Sequence, residues 1–339
     1  MSSPGSNPRR MDRRTLLAGI LALVAANPAL GRASSINLPT LRPTDFSPVV
    51  TGLEQAEGIA VAPDGRLFLS DARCALAIRE LNGELRRIGQ PIAPAGVAID
   101  PQGRAIVANV GLLKNRPGPL QRVDPRTGAV ETLVVELDGR TLIHTNCPTV
   151  ARDGTIYCTH SSWGPAANIG TTIPAGFVFS VAPDGSAKIV ARNLRGANGC
   201  CLDQHEHYLY VVLTAEGRIC RFRRRHDGSL GLREDYGPVL GTVVPNQTVA
   251  EIRKLPADAR ATLGYCDGIA FDREGNLWVT LPFSNRLVAL TPGGRLVDIV
   301  RDPEGSRISM PTNLAWNRAG DLFVACRGAG TIVRAHVYA

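Results

Sequence analysis

Six segments of this chain repeat one pattern, and that internal repetition narrows the fold more than any other feature. Each copy has a lead residue, a small residue, an alternating apolar strand, a tight turn and a second strand. The copies start at Glu57, Ala95, Asn146, Asn198, Asp267 and Asn313, as in Glu57-Gly-Ile-Ala-Val-Ala-Pro-Asp-Gly and Asp267-Gly-Ile-Ala-Phe-Asp-Arg-Glu-Gly. They recur every 40 to 70 residues or so, leaving room for two more strands between copies, which is how a β-propeller reads in sequence. The Asp-Gly and Glu-Gly pairs supply the positive φ angles that a short hairpin needs.

The outer strands follow. Ala75–Leu81 and Glu84–Gly89 flank Asn82-Gly83, and Arg286–Thr291 and Arg295–Val300 flank Pro292-Gly293-Gly294. The fold class is therefore all-β: a six-bladed β-propeller with four antiparallel strands per blade. The sixth unit runs out of chain after Thr331–Val337, while Phe46–Leu53 is an orphan strand before the first copy. Pairing the two closes the ring through an N-terminal strand and removes an exposed edge.

Strand direction then predicts a site. If each first strand is innermost and starts at one mouth of the channel, the six lead residues form a ring around the axis. Five of the six carry a side-chain oxygen, and none is His or Cys. Such a ring suits one hard divalent cation, Ca²⁺ first and Mg²⁺, Mn²⁺, Fe²⁺ or Zn²⁺ as alternatives. Gly follows Glu57, Asn198 and Asp267, removing bulk beside them. Asn-Gly and Asp-Gly are also common turn dipeptides, but each blade has its own turn further on. Converging acids and amides moreover repel or stay unsatisfied without a cation or water.

The N-terminus carries a different message. Half of the formal charge of +8 resides in the first 33 residues, with five arginines against Asp12. Arg13-Arg14 opens the apolar stretch from Leu16 to Ala26, and small residues follow around Ala29 and Ala33. This reads as a twin-arginine signal peptide over residues 1–33, with the propeller over 34–339, and implies export of a folded domain by the twin-arginine machinery. The destination is the periplasm or the medium. An uncleaved anchor or an early start site is the alternative, but the stretch is too short to span a bilayer, so no stable membrane span is expected in the mature form. The remaining basic residues are scattered, and Arg221–Arg225 reads as a solvated strand face, so nucleic acid is not expected as a partner. The eight cysteines show no zinc spacing, and buried free thiols are expected for most of them.

The four leads Glu57, Asn146, Asn198 and Asp267, in that order on six blades, resemble the SMP-30/gluconolactonase family of calcium-dependent lactonases over about Val50 to His336. The resemblance implies that Glu57, Asn198 and Asp267 ligate the metal, that Asn146 ligates it or lies beside it, and that Asp267 is the catalytic base. Two departures bear on sugar specificity. His144 stands where sugar-acid members often carry Arg, and Cys147-Pro148 stands where Asp-Gly is usual.

A lactone carbonyl polarised by the cation, and a water whose pKa it lowers, would then meet the Asp267 carboxylate as proton acceptor. His144 is the alternative base. His144, Asn146, His160, Trp163 and Asn313 are the expected substrate contacts, under a roof formed by Ser161–Ala175 and Val239–Cys266. His205 and His207 fall at the opposite end. The small-molecule substrate is a lactone or related ester. Rival readings are another calcium-propeller esterase for aryl esters or phosphotriesters, a strictosidine-synthase-like condensing enzyme, and a non-catalytic propeller presenting a rigid binding face.

Overall fold

The computed structural model describes Met1, residues 38–162 and residues 169–338. The expected signal peptide and Trp163 lie outside the described residues.

Residues 47–336 form six four-stranded antiparallel sheets, each one blade of a six-bladed propeller. The inner strands are Ile59–Val61, Pro94–Ile99, Thr145–Val150, Ala197–Leu202, Ile269–Phe271 and Pro311–Trp316. In the first five blades the strands follow one another outward in chain order. The sixth takes Ser47–Val50 as its outermost strand, antiparallel to Thr331–His336 with Pro48 opposite Val333. Proline is tolerated there because an outermost strand has one side with no ladder to serve.

Alternation explains the core. Each blade buries both faces against its neighbours, and six apolar clusters fill the six gaps. Phe68 and Ile78 of blade 1 meet Val107 and Val123 of blade 2. Trp278 and Leu287 of blade 5 meet Leu322 and Val324 of blade 6. Val50 and Leu53 complete the cluster between blades 6 and 1, so the closing segment contributes core as well as hydrogen bonds.

The turns set the phase of every blade. Ala62, Asp100, Ala151, Asp272 and Asn317 each donate a backbone N–H across the turn to the residue four positions on. In blade 4 the same turn, from Asp203 to Tyr208, is one residue longer. Counting back five residues from each turn start gives Glu57, Ala95, Asn146, Asn198, Asp267 and Thr312. The sixth lead is therefore Thr312, and Asn313 occupies the second position, where Gly58, Gly96, Cys147, Gly199 and Gly268 stand in the other blades. The sequence suggests Asn313 as the lead because its amide resembles the other leads more than a threonine hydroxyl does, whereas the turn places it one residue later.

Two features lie outside the repeat. Glu136–Leu137 and Arg140–Thr141 make a small hairpin. The connection between blades 4 and 5 carries two short helices, Val249–Lys254 and Ala257–Ala261. Among the described residues no helix is long and apolar enough to cross a membrane.

Candidate active site

The heads of the inner strands are irregular, and the irregularity creates the site. Register slips between Pro94 and Val97, Thr145 and Pro148, Ala197 and Cys200, and Pro311 and Asn313. A bulge turns a side chain out of strict alternation. In blades 1 and 5 the leads Glu57 and Asp267 instead precede the paired strand, and all six leads, Glu57, Ala95, Asn146, Asn198, Asp267 and Thr312, line one cavity of 570 Å³.

The second-position glycines let neighbouring blades approach at this level. A Cβ on Gly199 would fall 2.4 Å from the Asp267 carbonyl oxygen, and one on Gly268 would fall 2.5 Å from that of Thr312. Hydroxyls from the second strands lock the same region. Ser70 Oγ accepts the N–H groups of Glu57 and Gly58, both at 2.8 Å. Thr159 accepts from Cys147 and donates to the Asn198 carbonyl at 2.6 Å. Thr280 accepts from Gly268 and donates to the Thr312 carbonyl, and Thr312 in turn donates to the Glu57 carbonyl. The ring is thus stitched from blade to blade by side chains that themselves carry no charge.

Two carboxylates share this floor. Burial raises the pKa of Asp267 well above the usual range and the nearby Glu57 adds to it, while Arg327 and the Asn198 amide pull the other way. Burial also raises Glu57, opposed by Arg327. The Arg327 guanidinium lies 3.1 Å from Glu57 Oε2. Arg327 follows the second strand of blade 6, the position at which a strand returns to this mouth.

The amides are oriented. Asn146 Nδ2 donates to Ser161 Oγ at 2.8 Å, and Asn198 Nδ2 donates to Thr214 Oγ1 at 3.1 Å. With the nitrogens so engaged, the amide oxygens are left as acceptors for the cavity. Two carboxylates and two amide oxygens make a donor set that fits a hard cation. Among the described residues no group of three or more His, Cys, Asp or Glu has metal-binding geometry, so any cation held here depends on the amides.

The histidines separate in role. His144 lines the cavity, and burial lowers its pKa to about 4. Among the described residues its buried Nδ1 has no hydrogen-bond partner. His160, an expected substrate contact, is not among the cavity-lining residues. Its ring is fully buried and stacked on Phe177 at 4.6 Å, and its Nε2 accepts the backbone N–H groups of Ile143 and His144. It shapes the segment that presents His144. Asn313 is likewise absent from the lining, and its Oδ1 accepts the N–H of Leu314.

Both expected roof segments reach the cavity, through Ser161, Ser162, Ile169 and Thr171 from one and Val249, Arg253, Tyr265 and Cys266 from the other. They lean on each other: the Gly170 carbonyl accepts from Asn246, and Ile169 packs with Ile252, Leu263 and Tyr265. All eight cysteines are free thiols, seven of them buried.

Fold and site together define a six-bladed propeller with an acid- and amide-lined cavity at one mouth of its channel. Residues 55–327 match the SMP-30/Gluconolactonase/LRE-like region, and the chain belongs to that family. Among solved structures it is similar to a gluconolactonase from Xanthomonas campestris, at 22% identity and TM-score 0.66, over 86% of this chain and 89% of that one. It is also similar to the calcium-binding protein regucalcin from Agrobacterium tumefaciens, at 16% identity and TM-score 0.64, over 88% and 95%. A luciferin-regenerating enzyme aligns at 14% identity and TM-score 0.61, over 85% and 94%. At these identities the structural likeness speaks for the fold. No curated protein matches the chain in sequence.

Proposed function

We propose that the protein opens the ring of a lactone by hydrolysis, using one divalent cation, Ca²⁺ in the first instance, held by Glu57, Asn146, Asn198 and Asp267. The observation that carries this reading is the pair of buried carboxylates on the cavity floor, both with raised pKa and with Arg327 as the charged partner beside them. The family supports a lactone substrate, and the neighbour described as calcium-binding supports the choice of ion.

When bound, the cation supplies Lewis acidity toward the ester carbonyl and lowers the pKa of water in the site. The chain's own residues do the rest. Asn146 and Asn198 present oxygens whose direction is set by Ser161 and Thr214. Arg327 forms an ion pair with Glu57 Oε2 and partly balances its charge, while that oxygen keeps an open place for a further partner. Asp267 accepts the proton of the attacking water through whichever carboxylate oxygen is uncoordinated, then returns it to the alkoxide that leaves as the ring opens. His144 is neutral above about pH 4, and protonating it in the buried site would be disfavoured. In this proposal it orients substrate as a neutral donor or acceptor, and Asp267 is the base.

Part of the cavity's wall is apolar, with Val110, Leu112, Ile169, Val249 and Phe283. Together with His144 in place of an arginine, this favours less polar lactones over polyhydroxylated sugar lactones. Residues 1–33 act in this proposal as a twin-arginine export signal, and the enzyme works in the periplasm or outside the cell.

The test uses purified protein, calorimetric cation titration and a pH-indicator assay on a lactone panel. Glu57→Gln and Asn198→Ala should weaken cation affinity by 10-fold or more, with activity partly restored by excess cation. Asp267→Asn should still bind the cation but lose about 10²–10⁴-fold in turnover. Near-normal turnover of Asp267→Asn beside an inactive His144→Ala would transfer the base to His144.

A further inference from the structure

We infer that the lactone this cavity accepts carries an anionic group, gripped at the mouth by Lys114 and Arg253. The inference rests on the lactonase reading and adds the substrate class. Lys114 ends a short 3₁₀ turn, Gly111–Lys114, after the second strand of blade 2. Arg253 lies on the helix Val249–Lys254, in the connection leading into blade 5. The two cations thus come from separate parts of the ring and line the same cavity.

Neither has an acidic partner among the described residues; the recorded polar contact of Arg253 is to Met310 Sδ at 3.9 Å. Both are exposed at the cavity, so their charges are open to a ligand that enters it.

The floor points the same way. Glu57 and Asp267 carry two negative charges and Arg327 one positive, so a floor holding a divalent cation is net positive. With Lys114 and Arg253 added, the loaded cavity carries about three net positive charges, and its field draws in an anion. The apolar wall takes the carbon skeleton, while the anion faces the mouth. The chemistry common to the candidates is a singly or doubly charged oxyanion, a carboxylate or a phosphate ester.

The experiment compares a carboxylate-bearing lactone, its neutral amide and a phosphate-bearing analogue, in wild type and in Lys114→Gln/Arg253→Gln. In wild type the ratio of kcat/KM for the acid over the amide should exceed about 10 and fall as salt rises. In the double variant that ratio should drop about 10-fold. The larger of the carboxylate and phosphate ratios identifies the anion. A wild-type ratio near one, or a ratio the double variant leaves unaltered, overturns the inference. A parallel calorimetric arm uses the non-hydrolysable lactam carboxylate and lactam amide. If no lactone is opened, the lactonase reading fails while this arm still decides: tighter binding of the carboxylate, lost in the double variant, supports the anion site, and equal binding of the two refutes it.

Discussion

Asp267 and Glu57 show how a single site residue couples chemistry to stability. Both hold their protons more tightly in the folded chain, chiefly because burial disfavours the charged form. A raised folded pKa means that the folded state binds more protons than the unfolded state between the ordinary carboxylate value and the raised one. Stability therefore falls as pH climbs through that interval. Asp71 has the opposite sign: burial would raise it, but Arg73 and Arg87 hold it at about 2, so its stabilisation is lost only in strong acid. In chelator, Asp267→Asn should accordingly raise Tm, and by more at pH 7 than at pH 5; a gain that is larger at pH 5 contradicts this. The acidic and amide leads were legible in sequence because their phase repeats from blade to blade. Arg327 was not, since its pairing with Glu57 joins the last blade to the first across 270 residues. Lys114 and Arg253 were equally hidden, because residues in connections have no repeat phase to locate them.

At the scale of elements, the blades were readable and the heads of their inner strands were not. Turn glycines and alternation mark a strand's body, whereas a bulge at its head leaves no period to follow. That is why Asn313 took the place of Thr312 as a lead. The helix Val249–Lys254 did carry a readable signal, the Thr248 and Glu251 capping box, in which Thr248 Oγ1 accepts from the Glu251 N–H. The hydroxyl stitches between blades give a testable cost. Thr280→Val removes the acceptor for the Gly268 N–H and the donor to the Thr312 carbonyl, leaving two buried groups unsatisfied. Chemical denaturation should show a loss of about 1–3 kcal/mol, with weaker cation affinity because Asp267 immediately precedes Gly268. Unchanged stability would mean that the ring does not depend on these bonds.

For the whole molecule, closure is the feature on which everything else depends. The Ser47–Val50 strand covers the edge of Thr331–His336, and Phe46, Val50 and Leu53 are buried in the clusters on either side of blade 6. A chain beginning at Leu38 keeps all of this and should fold. One beginning at Glu54 loses three buried apolar side chains and the outermost ladder, at least about 5 kcal/mol at roughly 1.5–3 kcal/mol per side chain. It should melt much earlier and associate through the bared edge, as size-exclusion chromatography and thermal scans would show. Equal stability of the two truncations would refute the closure argument. Closure also holds Glu57 of blade 1 beside Arg327 of blade 6, so the site exists only in the complete ring. The central claim is that this ring works through a bound cation. The most direct test follows lactone opening by a pH indicator in chelator-stripped protein, before and after Ca²⁺ is returned. Activity should fall at least 100-fold on stripping and recover with about one equivalent per chain; lactone opening that persists undiminished in the stripped protein would contradict the account.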